Sequence, residues 1–281
     1  MDYVLNAAYA SLLLMLVALG LAVIFGVMGV INLAHGEFLM LGAYGAVVTR
    51  SVVGSFWLSL LLVPAAVAVI GVLIERVLIR PLYRRPLETI VATFGLAIII
   101  REVVREIAGS DFRNVDDPVR GSVSILGAAF PTYRLVVMGS VVTLVVGIYL
   151  LQSRTRLGLI ARAVIQSPEL AGALGIDVNV VYRATFALGA ALAAAAGVLV
   201  APTVNVFPDM GSVFVISAFL AVLVGGLGSL RGLAAAVILL GAAQYALSQI
   251  FTPVAGAIGL LILAIGALRF LPDGLARVAG Q

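Results

Sequence analysis

The 281 residues include no cysteine and no lysine, and the only histidine is His35. Without cysteine there is no disulfide, no thiolate metal site and no iron–sulfur cluster. Without lysine there is no Walker A loop, whose lysine reaches the phosphates, and no Schiff base, which removes retinal proteins. One histidine excludes a haem held between two histidines of one chain. Charge is scarce too, at 11% of residues against about 25% in a soluble protein. Little catalytic chemistry remains: no triad or metal-binding constellation is visible, and the chain reads as a pathway or a scaffold, not an enzyme. No metal ion and no cofactor is expected in it.

What is abundant is apolar surface. Hydrophobic residues make up 63% of the chain and the mean hydropathy is +1.22, far above the ~45–50% apolar content of soluble domains. The chain is therefore read as an all-α, polytopic integral membrane helix bundle, forming one transmembrane domain over 1–281. The 17 basic residues, all arginine, exceed the 13 acidic ones by four. In a membrane protein this excess points to arginines retained on the cytoplasmic side, not to nucleic acid.

A spanning helix takes about 20 mostly apolar residues. Candidate runs cover 5–31, 36–50, 57–79, 87–108, 134–152, 182–203, 212–229, 233–251 and 254–271. The second run is short and the pair within 212–251 is barely interrupted, so eight to ten spans are expected, some short or broken. The first run opens without a basic flank and reads as a retained helix, not a cleavable signal. Arginines 76, 80, 84 and 85, then 154, 156 and 162, assign two segments to the cytoplasm. Segment 109–133, with Asp111, Asp116 and Asp117 against Arg113 and Arg120, reads as an external loop, as does 204–211. The N-terminus is expected outside, and the C-terminus, with Arg269 and Arg277, inside.

Four stretches stand out. In 25–38, Asn32, His35 and Glu37 interrupt apolar sequence between glycines. Ionisable residues within a membrane are costly and mark pathways, so one reading is a kinked helix on a translocation route. The other is an ordinary short cytoplasmic turn, with Asn32 capping one helix and Glu37 in the first turn of the next. Second, the internal loop 154–182 carries Ser167-Pro168-Glu169-Leu170-Ala171-Gly172-Ala173-Leu174-Gly175. Ser167 suits an N-cap, Pro168 the first helical position, Glu169 the helix dipole and Gly175 the close. A helix over 168–174 is predicted, too short to stand alone in water. It either docks on a partner or lies on the bilayer surface. Third, Gly225, Gly226 and Gly228 precede Arg231; they read as a tight turn or re-entrant break. Fourth, Glu102 and Arg105 are spaced to pair on one helix face, with a role in receiving substrate from outside as the functional alternative.

Two stretches resemble one family. The string from Gly26 to Tyr44, GVMGVINLAHGEFLMLGAY, is similar to the N-terminal signature of branched-chain amino-acid ABC transporter permeases. Ala173-Leu-Gly-Ile-Asp177, the alanine-rich span after it and GGLGSLRG at 225–232 match further on. The resemblance covers almost the whole chain. It implies a multi-pass subunit of a bacterial inner-membrane importer, paired with a second, homologous permease. Two cytoplasmic ATPases would bind ATP and magnesium and drive the cycle, and a periplasmic binding protein would deliver substrate. The coupling segment aligns with 162–177, making Ser167 to Gly175 the helix that docks into an ATPase groove. This segment departs from the glutamate-alanine-alanine pattern of the wider importer class. Relatives with the signature carry branched-chain or other amino acids, urea, short amides or aromatic acids. A proton-coupled carrier using His35 and Glu37 is the rival reading, and a membrane scaffold a third.

Overall fold

The computed structural model describes residues 2–83, 85–125, 128–271 and 274–276; Arg84 and Arg277 lie outside the described residues. Helices stand where the apolar runs place them: α1 (Asp2–Met28), α2 (His35–Val53), α3 (Phe56–Ile74), α4 (Pro86–Ala108), α5 (Thr132–Arg154), α8 (Val178–Val200), α9 (Met210–Gly225), α10 (Leu230–Ile250) and α11 (Pro253–Phe270). Two shorter ones, α6 (Arg156–Gln166) and α7 (Pro168–Ala173), fill the segment between α5 and α8. Helix α3 continues as a π-helical turn, Glu75–Ile79, and a 3-10 turn, Arg80–Leu82. Six helices are long and apolar enough to cross a membrane: α1, α3 with its extension, α5, α8, α10 and α11. Helix α9 is apolar but shorter, α4 carries Glu88, Arg101, Glu102, Arg105 and Glu106, and α2 carries Glu37 and Arg50 with polar His35 at its start. The chain is a polytopic helical membrane bundle.

Two details differ from the sequence reading. Segment 154–182 is mostly helical, because Thr155 caps α6 by accepting the Gly158 amide and α6 runs directly into the Ser167 cap of α7. Segment 109–133 holds a small antiparallel hairpin, β1 (Ser122–Ile125) with β2 (Ala128–Pro131), and an isolated bridge pairs Arg113 with Val206.

The centre of the bundle is α1 crossing α8. Gly20 and Gly189 face each other there: a Cβ on Gly20 would meet the Ala193 nitrogen at 3.2 Å, and one on Gly189 the Ile24 Cδ1 at 2.6 Å. Residue 20 thus lies toward 193 and residue 24 toward 189, so the two helices are antiparallel. Small residues permit this close approach where no hydrophobic force pushes helices together. The remaining packing follows a rule of exchange. Helix α3 packs on α8 as α10 packs on α1; α2 packs on α8 as α9 packs on α1; α2 meets α3 as α9 meets α10, and α2 meets α4 as α9 meets α11. Helices α1–α4 and α8–α11 are therefore two repeats of opposite direction, with α5–α7 inserted between them. The symmetry breaks at α4, which sits more loosely on α3 than α11 does on α10.

One end of the bundle gathers the ends of α1, α3, α5 and α9 and the starts of α4, α8 and α10. A cleft of about 160 Å³ there is lined by Gly26, Gln152, Arg162, Gly228 and Leu230. It is the arginine-rich end. The opposite end carries the hairpin, Trp57, Phe112 against Phe207, and Arg134 on the Tyr9 ring.

Candidate functional site

Helix starts in this chain fall into two groups. At α6, α7, α8, α10 and α11 the residue before the helix accepts an amide of the first turn: Thr155, Ser167, Asp177, Ser229 and Thr252. Helices α2, α3, α4, α5 and α9 start without a side-chain cap; of these, α2 and α9, which begin on Ala34 and Asp209, start inside the bundle.

The depth of α2 follows from geometry. Helix α1 ends at Met28, closed by Gly29 at φ +64 with its amide on the Phe25 carbonyl. The chain then turns back along α1. A Cβ on Gly20 would meet the His35 Cε1 at 2.9 Å, and Gly20 lies eight residues, ~12 Å, above Met28. Residues 29–34 thus climb back without helix, and α2 starts near mid-depth. Of the two readings of this stretch, the solvated turn is set aside: the helix-closing residue is Gly29, not Asn32, and Asn32, His35 and Glu37 are all buried. Asn32 Oδ1 accepts the Ala34 amide at 3.0 Å, and the Leu33 amide donates to Thr93 Oγ1 at 3.2 Å. Non-helical backbone at membrane depth is tolerated only where protein satisfies it or a cavity lies beside it.

Helix α9 starts at the same depth. A Cβ on Gly211 would sit 2.6 Å from the Gly36 carbonyl carbon and 3.1 Å from the Glu37 nitrogen. The two repeats therefore place their broken helices start to start, α2 running toward one end and α9 toward the other.

A charge cluster closes over this junction. Glu37 Oε1 pairs with Arg101 Nη2 at 2.6 Å, and Arg101 Nη1 lies 3.7 Å from Asp209 Oδ1. Arg105 Nη2 holds both Asp209 oxygens, at 3.1 and 3.0 Å, while its Nη1 holds Glu102 at 2.5 Å. The Glu102–Arg105 pairing expected from spacing is present. Its continuation to Asp209 and Glu37, 104 and 68 residues from Arg105 along the chain, is not a local pattern and has no sequence signal beyond an acid in an otherwise apolar neighbourhood. Buried side-chain atoms without a hydrogen-bond partner among the described residues include Asn32 Nδ2, both ring nitrogens of His35, Glu37 Oε2 and Arg101 Nε.

A second buried pair stands at the arginine-rich end. Glu75, wholly buried in the π-helical turn, accepts from Arg183 Nε at 3.2 Å and from the Tyr83 hydroxyl. The Tyr83 ring meets Tyr182 edge-on at 4.8 Å. Burial, reinforced by the hydrogen bond to Glu75, pushes the Tyr83 phenol far above its ordinary range, so it stays a donor. Sequence reading missed this cluster, although an acid at the end of an apolar run is a visible flag.

The predicted short helix is α7. Ser167 caps it through the Leu170 amide at 3.3 Å, Pro168 opens it, and Gly175 takes φ +87 beyond it. It ends at Ala173; Leu174 is the closing residue, its amide on the Leu170 carbonyl. Ala171 is buried, while Leu170, Gly172 and Leu174 are exposed. Gly225 ends α9, and Gly226 and Gly228 take φ +89 and +81 in the turn to α10. A Cβ on Gly225 would lie 2.7 Å from the Leu233 Cα. This turn stays at the arginine-rich end and is not re-entrant. Gly228 meets Gly26 there.

Residues 3–267 match the family model described as the branched-chain amino acid transport system permease component. The permease protein BraD of a high-affinity branched-chain amino acid transport system in Pseudomonas aeruginosa is 31% identical, with 92% of this chain and 90% of the relative covered. A probable branched-chain amino acid transport permease, LivH, of Methanocaldococcus jannaschii is 30% identical over 97% of this chain and 91% of its own length. LivH of Escherichia coli K12, described as part of a high-affinity system of the same kind, is 29% identical over 92% and 90%. Among solved structures, PsaBC from Streptococcus pneumoniae in complex with Fab superimposes with a TM-score of 0.50 at 14% identity, covering 95% of this chain and 91% of that one. That likeness concerns the fold alone.

Proposed function

This chain belongs to the branched-chain amino acid transport permease family, and from that premise we propose that it is the membrane subunit of an ATP-driven importer. Its cargo is a branched-chain or closely related amino acid handed over by a binding protein outside the bacterial inner membrane. A second, homologous permease completes the passage, and two ATPases on the arginine-rich, cytoplasmic side bind ATP and magnesium. The chain itself does no covalent chemistry.

The observation that carries the ATPase reading is α7. Two turns of helix do not persist alone in water, yet this one is capped, held to the bundle through Ala171 and α8, and presents Leu170 and Leu174 outward. Exposed leucines on a fixed, capped projection serve an interface. The test is reconstitution of the chain with its neighbouring subunits in vesicles. Leucine uptake that needs ATP and the binding protein supports the reading. Uptake driven by a pH gradient without ATP would overturn it in favour of a proton-coupled carrier. Replacing 169–174 by a flexible linker is expected to abolish ATPase capture; unchanged capture overturns the docking role of α7.

A further inference from the structure

The Glu37–Arg101–Asp209–Arg105–Glu102 cluster is graded in burial. The Glu37 side chain is 2% exposed, Arg101 23% and Asp209 49%. Arg101 lies seven residues before the end of α4, ~10 Å inside it. Charged side chains at such depth do not face hydrocarbon; they face water, a partner or one another. Here they face one another only in part. Arg101 Nε and Glu37 Oε2 are buried without a hydrogen-bond partner among the described residues, and Asp209 is half open. The open side of the cluster is therefore aqueous in the working assembly. Its chemistry is that of a zwitterion receptor. Guanidinium groups of Arg101 and Arg105 pair with a carboxylate by charge-assisted hydrogen bonds, and Asp209 beside them suits an ammonium group.

We propose that Arg101, Arg105 and Asp209 line an aqueous entry path and form the station at which this chain receives the zwitterionic head of the amino acid. The guanidiniums take the α-carboxylate and Asp209 takes the α-ammonium. Glu37 is a positioning residue: it holds Arg101 from the buried side and ties the start of α2 to α4. The side chain of the cargo is not read here, which suits a path fed by a selective binding protein. The inference rests on the importer reading above.

The native chain has no cysteine, so one thiol reports cleanly. Ser212, half-buried, donates its hydroxyl to the Asp209 carbonyl at 2.7 Å and belongs to none of the ion pairs. In the full assembly, S212C is expected to react with a cationic, membrane-impermeant thiosulfonate added from the binding-protein side, read by the mass of this chain. Leucine-loaded binding protein should slow labelling roughly tenfold relative to the empty binding protein, the loss expected for about 1.4 kcal/mol of occupancy. In the S212C/D209N background labelling should persist and the protection by the loaded form should vanish. D209N is also expected to lose most ATP-driven leucine uptake, with Asp209→Glu restoring part of it. No labelling of S212C from that side overturns the aqueous path. Equal labelling with loaded and empty binding protein, or protection that survives D209N, overturns the receiving station. Wild-type assembly that imports no amino acid with ATP is a different result, and sinks the importer reading itself.

Discussion

At the scale of residues, two kinds of contact decide the junction of α2 and α9. The first is the buried pair of Glu37 and Arg101. Removing one partner of such a pair leaves a buried charge uncompensated and costs ~3–5 kcal/mol, whereas replacing both by apolar groups costs much less. Glu37→Leu and Arg101→Leu are each expected to lower the thermal midpoint in detergent, and the double variant to recover part of the loss. Asp209, 3.7 Å from Arg101, softens the Glu37 variant, which should be the milder of the two singles. Strict additivity in the cycle would show that the pair carries no coupling. The second contact is backbone on backbone. Gly211→Ala places a Cβ 2.6 Å from the Gly36 carbonyl carbon, and main chain cannot swing aside. A loss of ~1–3 kcal/mol follows from overpacking. Gly139→Ala is the control: nothing lies within 4 Å of its Cβ, and alanine in a helix interior gains ~1 kcal/mol over glycine. Equal midpoints for the two variants would refute the close junction.

At the scale of elements, the sequence shows the helices well and their depth poorly. The nine apolar runs coincide with nine helices, six of them long and apolar enough to cross a membrane, because backbone inside a bilayer must satisfy its polar groups internally and that demand leaves a composition trace. The α7 helix was legible for a similar reason: Ser167, Pro168 and Gly175 each have a local, geometric task. What stayed hidden was that 29–34 runs back into the bundle. Residue types alone gave Asn32, His35 and Glu37 two readings, since burial depends on α4, α8 and α9, far away in sequence. The Arg101 cluster and the Glu75–Arg183 pair were invisible for the same reason: each joins residues more than sixty positions apart. The π-helical turn at Glu75–Ile79 carries a consequence of its own. Such turns break the regular ladder and recur at functional sites, and this one links α3 to the start of α8, just after α7. Arg183→Gln leaves Glu75 buried with the Tyr83 hydroxyl as its remaining partner among the described residues. We expect a lower thermal midpoint and weaker stimulation of the partner ATPases by loaded binding protein, with Arg183→Lys recovering part of both. Full stimulation in Arg183→Gln would remove this pair from the line between α7 and α3.

At the scale of the whole molecule, two inverted repeats share one centre, yet they do not end alike. Helix α11 packs on both α9 and α10, while α4 leans on α2 and on its own entry turn. Helix α4 is also the charged member, with Glu102 and Glu106 exposed on it and a row of exposed apolar residues, Leu87, Val91, Phe94 and Ile98, along another face. A helix with few contacts of its own and carboxylates on an open face is poorly matched to lipid. On the importer reading proposed above, a second subunit covers the apolar row and water meets the charges. Local stability follows contact density, so the repeats should differ in hydrogen exchange. In the isolated chain α4 amides are expected to exchange fastest among the long helices, and α1 and α8, at the crossing, slowest. On assembly with the second permease, protection should rise in α4 by about tenfold or more while α1 and α8 stay unchanged. A rise confined to α11 would place the partner on the other repeat. No rise in either would mean that both outer helices face lipid, and that the break in symmetry at α4 serves the charge cluster alone.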